Sequence, residues 1–345
     1  MQPVASPDMT RRVYDLPTPA LVVEADALEH NLATMAQALP GTRLRPHVKA
    51  HKCTALARAQ AQHGHHTFTC ATPREMIVMA GAGLGTDLLL ANETLNAPRL
   101  GAMAALQDNA RITIAVDSEP TIDAAAAAGI REVLIDVEIG LPRCGCLPSD
   151  AGRLADLARN RGLSVRGVMG YEGHLMMVAD RAEKKSRLDA AVDLLLAAHA
   201  DVGGDVISSG GTGTYDLHDR VNEIQAGSYV MMDSQYSTLG QPFLQALFVH
   251  AQVIAVGRSW AVVDAGLKAQ GMDHGNPTVP GMKVWFVSDE HLTISALDGH
   301  GLPRVGDFVR VVPAHIDPTI AYHDRMHIVH GDDVLDEWAV DLRGW

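Results

Sequence analysis

RPHVKAHK, residues 45–52, sets three cations and two histidines into eight positions of a chain whose formal net charge is -13. It overlaps LRPHVK (44–49), the first of a series of short β-rich runs. The others are TFTCAT (67–72), DLLLAN (87–92), ITIAVDS (112–118), VLIDVEI (133–139), VRGVMGYEG (165–173), DVISSGG (205–211) and EIQAGSY (223–229). Helix-like runs separate them, among them PREMIVMAGAG, PTIDAAAAAG and a long KKSRLDAAVDLLLAAHA. Helix starts carry Thr72-Pro73, Ser118-Glu119-Pro120 and Ser149-Asp150, and ends carry Gly81, Gly129 and Gly203. Eight strands with helical crossovers predict an α/β fold, a TIM-like (β/α)8 barrel, with an open doubly wound sheet as the alternative.

Beyond about residue 243 the rhythm changes. FVHAQVIAV, WAVVDAG, MKVWFVS, HLTISAL and DFVRVVPAH are strands without long helices between them, so a second, mostly β C-terminal domain is expected. The division is placed at residues 20–240 for the barrel and 241–345, with residues 1–19, for the β domain. PALVVEAD and ALEHNLATMAQAL add a strand and helix before the barrel proper, so part of the N-terminus is a candidate to pair with the β domain.

The acidic balance argues against a nucleic-acid partner, which wants a basic face. No apolar run approaches membrane-spanning length, and the first residues lack the apolar core of a signal peptide, so a cytoplasmic protein is expected. Cys53, Cys70, Cys144 and Cys146 form no CxxC pair and read as reduced thiols; the C-x-C pair alone is a weak metal motif.

On a strand, His47, Lys49 and His51 would share one face, and the active ends of such barrels are the C-terminal ends of the strands. A lysine there suits Schiff-base chemistry, although a lysine snorkelling from a barrel mouth fits the same residues. Lys52 falls off that face and is read as surface or phosphate-side. SSGGTGTYD (208–216) follows the seventh strand and QAGSY (225–229) the eighth. Their glycines let backbone N–H groups approach an anion, where barrels often hold phosphate. Ser209, Gly211, Thr212, Gly227, Ser228 and Tyr229 are the candidates.

With these motifs the chain resembles the alanine racemase-like pyridoxal phosphate enzymes of fold type III, and within them the D-threonine aldolase and D-serine dehydratase group. DLPTPALVVEADALEHN, RPHVKAHK, GYEGHLM (170–176), EIQAGSYVMMD (223–233), VVDAGLKAQ (262–270), SDEH (288–291) and VPAHIDPT (312–319) carry the likeness. The resemblance implies pyridoxal 5'-phosphate bound through Lys49, with Arg143 of EIGLPRCG near the cofactor hydroxyl and Tyr171 near the ring nitrogen. A homodimer is implied as well.

His315 and Asp317, spaced i, i+2 at an expected strand end, can point at one ion, and a solvated pair fits the same spacing. The resemblance favours the ion. The dehydratase branch carries H-x-C here and uses zinc, whereas Asp317 is a hard oxygen ligand that shifts preference toward manganese, magnesium or cobalt, with zinc still open. The implied reaction is cleavage of a β-hydroxy-D-amino acid, D-threonine-like, to glycine and an aldehyde. His51, His174 or a metal-bound hydroxide are candidates for the base at the β-hydroxyl. The alternatives are a D-serine or 3-hydroxy-D-aspartate dehydratase, a racemase, or a cofactor-carrying regulator without turnover. A dinucleotide enzyme fails because no GxGxxG follows the first strand.

Overall fold

The computed structural model describes residues 11–345. The described residues divide into two compact units: Leu32–Tyr229 with Leu239–Gln241 and Asp341–Trp345, and a second made of residues 11–31, Val230–Thr238 and Pro242–Val340.

The chain opens with β1 (Ala20–Glu24) and α1 (Ala25–Ala38), then α2 (Thr54–Gln62), β2 (Thr67–Cys70), α3 (Pro73–Gly81), β3 (Asp87–Leu90), α4 (Ala97–Ala104), β4 (Ile112–Val116) and α5 (Glu119–Ala127). There follow β5 (Glu132–Asp136), α6 (Ala151–Asn160), β6 (Ser164–Met169), α7 (Arg181–Val202), β7 (Val206–Ser209) and β8 (Glu223–Ile224). Strands β2 to β8 form a parallel sheet in sequence order. Their apolar runs are buried on both faces, as parallel strands under helices require. Thr72 caps α3 by accepting the Glu75 N–H at 3.2 Å, and Ser118 and Thr121 form a capping box at α5. Past α3 the left-handed residue is Gly83 rather than Gly81.

LRPHVK is not a regular strand. Leu44 bridges Ile224 and His47 bridges Thr69, both in parallel sense, so residues 44–47 join the two edges of the seven-stranded sheet and close the barrel. Arg45 N–H donates to Ile224 O at 2.8 Å, His47 N–H to Ala226 O at 3.0 Å, and Thr69 N–H to Pro46 O at 2.9 Å. Pro46 has no N–H to give a ladder, and Val48–Ala50 tightens into a 3-10 turn. The period-two face drawn for His47, Lys49 and His51 therefore does not exist. Lys52 also departs from its surface reading: at φ 47 the chain turns it inward, 13% exposed, onto the wholly buried carboxylate of Glu75.

Arg45 points into the barrel. Its guanidinium meets Asp87 at 3.2 Å and Glu223 at 2.8 Å, and Arg166 meets Asp87 at 2.7 Å. Burial alone would raise the Asp87 pKa; Arg166 and Arg45 outweigh it and hold the carboxyl below its ordinary range. Two of the three cations in residues 45–52 are thus matched by buried carboxylates.

Gly167 in β6 sits at φ +145, where a Cβ would lie 2.0 Å from the Val206 carbonyl oxygen. Gly167→Ala is expected to cost about 3 kcal/mol or more, read as a lowered urea midpoint with unchanged m-value.

The second unit holds an eight-stranded sheet. Its further strands are β9 (Leu247–Val256), β10 (Ala261–Val263), β11 (Met282–Val287), β12 (Leu292–Ala296), β13 (Phe308–Val311), β14 (Arg325–His330) and β15 (Asp333–Ala339), with a short helix α8 (Ile316–Ala321). β1 lies inside it, antiparallel to β9 and parallel to β14. The division expected at residue 20 therefore moves to the middle of α1, while residues 1–10 of that expectation lie outside the described residues. At the other end Asp341 leaves the β unit. Its carboxylate accepts the Thr54 N–H at 2.9 Å and hydroxyl at 2.5 Å, capping α2, and Leu342 N–H donates to Lys52 O at 3.0 Å. No helix among the described residues is long and apolar enough to cross a membrane.

Candidate active site

In the barrel unit Lys49 occupies the 3-10 turn just past the closing segment, and its N–H is accepted by His47 Nδ1 at 3.4 Å. The loop after β8 lies against this turn: a Cβ on Gly227 would come within 2.8 Å of His47 O and 3.1 Å of Ala50 Cβ. The loop after β7 joins it, since Thr212 Oγ1 accepts the Tyr229 N–H at 3.0 Å. Lys49, Thr212, Gly227 and the Tyr229 backbone are therefore brought together. The Tyr229 hydroxyl is directed elsewhere: it is buried, accepts from Gln60 Nε2 at 3.0 Å, and burial pushes its pKa up. Ser209 is likewise turned away from the loop face, its hydroxyl donating to Glu172 at 2.8 Å.

Glu172 escapes the sequence reading although GYEGH flanks it with two candidate residues. Its wholly buried carboxylate also takes the Gly210 N–H at 3.2 Å, the Thr214 hydroxyl at 2.6 Å and His218 Nε2 at 2.8 Å. Burial would raise its pKa, but His218 and Thr214 outweigh that and lower it to about 2. Lys184, buried on α7, donates to Met176 O at 3.1 Å and Gly213 O at 3.0 Å. The glycine loop is thus shaped from beneath before any anion arrives.

Beside it, the Arg143 guanidinium stacks on the Tyr171 ring at 5.5 Å. A Cβ on Gly211 would touch that ring at 3.4 Å, and one on Gly140 would come within 2.6 Å of the His174 ring. His174 Nδ1 is buried without a hydrogen-bond partner among the described residues. His51 is wholly buried, with Nδ1 accepting the Cys53 N–H at 3.2 Å at the start of α2. A lysine turn, a glycine cradle that a Cβ would fill and an orphaned imidazole nitrogen suit a phosphorylated aldehyde cofactor.

At the ends of β3 and β5, burial and the Glu93 carboxylate push the Asp136 carboxyl well above its ordinary range. All four cysteines are free thiols. Burial pushes Cys144, with Glu93 beside it, and Cys146 up to about 12, which disfavours the thiolates a metal at C-x-C would need.

In the β unit, His315 and Asp317 approach each other by a different route from the one expected. β13 ends at Val311, Pro313 follows, and His315 is the N-cap of α8, with Asp317 in its first turn. His315 Nε2 lies 3.4 Å from Asp317 Oδ2. Two residues of GMDHGN join them, unforeseen from sequence: Asp273 Oδ2 is 2.6 Å from His315 Nδ1, and the His274 ring stacks on His315 at 3.9 Å and 5°. Donor atoms of Asp273, His274 and His315 all lie within 4.8 Å of one another. Burial would lower the His315 pKa, yet Asp317 and Asp273 raise it. Asp233 is wholly buried, its Oδ1 accepting the Gln235 and Tyr236 N–H groups at 3.1 and 2.9 Å. Burial pushes it up to about 6. A cation suits this mixed imidazole and carboxylate set.

A parallel barrel with a lysine turn against glycine loops, in a chain with a separate β unit bearing histidine and carboxylate donors, defines an alanine racemase-like enzyme. The alanine racemase N-terminal domain model matches residues 23–235, the serine dehydratase domain model matches residues 246–329, and the chain belongs to the alanine racemase N-terminal domain family. It is 32% identical to a D-threonine aldolase of Arthrobacter sp, over 95% of this chain and 93% of that one. It is 31% identical to a 3-hydroxy-D-aspartate aldolase of Paracoccus denitrificans (strain Pd 1222), over 96% and 93%. The crystal structure of D-threonine aldolase from Filomicrobium marinum superposes with a TM-score of 0.91 at 35% identity, covering 99% of both chains.

Proposed function

We propose that this protein is a pyridoxal 5'-phosphate- and divalent metal-dependent aldolase that cleaves β-hydroxy-D-amino acids of the D-threonine type to glycine and an aldehyde. The observation that carries the reading is the pairing, in one chain, of the Lys49 turn against the glycine loops with a His315–Asp317 donor pair whose second member is a carboxylate. Likeness to two aldolases over more than nine-tenths of the chain supports it.

When bound, the cofactor supplies an electron sink at Cα and the ion supplies positive charge at the β-oxygen. Lys49 would hold the cofactor through its amine. Thr212, Gly211, Gly227 and Ser228 would hold its phosphate, and Arg143 and Tyr171 would lie beside it. His315 and Asp317 hold the ion, for which the carboxylate favours manganese, with magnesium, cobalt and zinc as the other fits. His174, whose Nδ1 has no hydrogen-bond partner among the described residues, accepts the β-hydroxyl proton, with His51 as the other imidazole candidate. The expected assembly is a homodimer, which sedimentation reads directly.

The test supplies cofactor, manganese and D-threonine or 3-hydroxy-D-aspartate, and separates glycine plus aldehyde from keto acid plus ammonia. Glycine and aldehyde are expected, lost with EDTA and restored by manganese. His315→Ala and Asp317→Ala are each expected to lower metal-dependent turnover by roughly 10²-fold or more. Keto acid and ammonia as the main products would overturn the aldolase in favour of a dehydratase.

A further inference from the structure

We infer that Asp273 is a positioning residue for the metal: it accepts the Nδ1–H of His315 and so fixes the tautomer that leaves Nε2 for the ion held with Asp317. The inference rests on the metal reading above and assigns a role to a residue outside the His-x-Asp pair.

The two ring nitrogens of His315 face two different carboxylates at two different distances. Nδ1 to Asp273 Oδ2 is 2.6 Å, and Nε2 to Asp317 Oδ2 is 3.4 Å. Two ligands each about 2.1 Å from one ion stand roughly 3.0–3.4 Å apart at octahedral or tetrahedral angles. The Asp317 separation meets that spacing. The Asp273 separation is too short for an ion to be shared and has the length of a charge-assisted hydrogen bond. A neutral imidazole carries one N–H, so the proton on Nδ1 puts the lone pair on Nε2. A carboxylate behind a metal-bound histidine also raises its basicity. His274 lies flat on the ring at 3.9 Å, its Nε2 3.7 Å from Asp273 Oδ2, and so restricts ring rotation. Asp273 and His274 come from the loop following β10, which explains why the motif around His315 does not reveal them.

The test measures Mn²⁺ and Co²⁺ binding to the cofactor-loaded protein and its Asp273→Ala, Asp273→Asn, His274→Ala and His315→Ala variants. Asp273→Ala is expected to weaken Mn²⁺ by roughly 10–100-fold while the cobalt ligand-field spectrum keeps the wild-type coordination number. Asp273→Asn, whose amide oxygen still accepts from Nδ1, falls between. His274→Ala, which removes a ring stack, changes affinity by less than roughly tenfold. Unchanged affinity in Asp273→Ala overturns the inference, with the metal reading intact provided His315→Ala abolishes binding. Loss of binding in both Asp273→Ala and His274→Ala, with a changed cobalt spectrum, overturns it by making those residues ligands. Unchanged binding in His315→Ala removes the metal reading itself.

Discussion

A Lys49→Ala variant will purify folded, hold pyridoxal phosphate only reversibly and turn over at least about 10³-fold more slowly than the parent. The three other barrel-unit lysines hold structural partners. Lys52 is paired with buried Glu75, Lys184 donates to the carbonyls of Met176 and Gly213, and Lys185 lies 2.5 Å from Asp189. The cost to stability is small, because Lys49 is only half-buried while the turn is anchored by wholly buried Val48 and Ala50. Borohydride reduction followed by peptide mass analysis is the direct readout. The parent should carry one pyridoxyl group on the peptide containing Lys49, and the variant none. Lys49→Arg separates charge from chemistry: it should keep phosphate-driven binding and lose turnover. A Lys49→Ala protein that still acquires a stable pyridoxyl group and turns over at the parent rate would remove this residue from the reaction.

The barrel strands were legible because burial on both faces writes itself as apolar runs such as ITIAV and VLI, and because Thr72 and Ser118 announce the helices after them. The reading failed where local pattern and tertiary role part. LRPHVK has the composition of a strand, but Pro46 and the 3-10 turn leave it as the bridging segment of the barrel. Arg45, Lys49 and Lys52 look alike in sequence; only the fold brings up Asp87, Glu223 and Glu75 to claim two of them. β14 and β15 went unseen because RMHIVH and DVLDEWA mix charge with apolar residues and lie past the last motif. His315 and Asp317 do lie near each other, 3.4 Å apart, although the assumed strand is the start of a helix, since a helix N-terminus also brings i and i+2 together. Asp273, separated from His315 by 42 residues, carries no local signal.

Glu172→Ala is expected to lose about 3–5 kcal/mol of stability and most of its cofactor affinity, although the residue lies beneath the loop. Four donors end on this one buried carboxylate: the Ser209 and Thr214 hydroxyls, the Gly210 N–H and His218. Removing it strands them together and releases the bend of the glycine loop. Glu172→Gln tests the charge separately, since its amide keeps the shape but turns one oxygen into a donor facing donors. The lowered pKa sets the direction of the pH dependence. With the folded-state value near 2 against an ordinary 4.5, the stabilisation is fully present above pH 4.5 and is lost as pH falls toward 2. Urea titrations across that window should show the parent losing its advantage over Glu172→Gln as the acid is added, with the two curves converging at the low end. Cofactor titration at neutral pH supplies the functional half, and the weakening should appear there without any contact between Glu172 and the phosphate. Equal stability and equal cofactor affinity of parent and Glu172→Gln at neutral pH would mean that the loop holds its shape through Lys184 and the Thr212–Tyr229 bond alone.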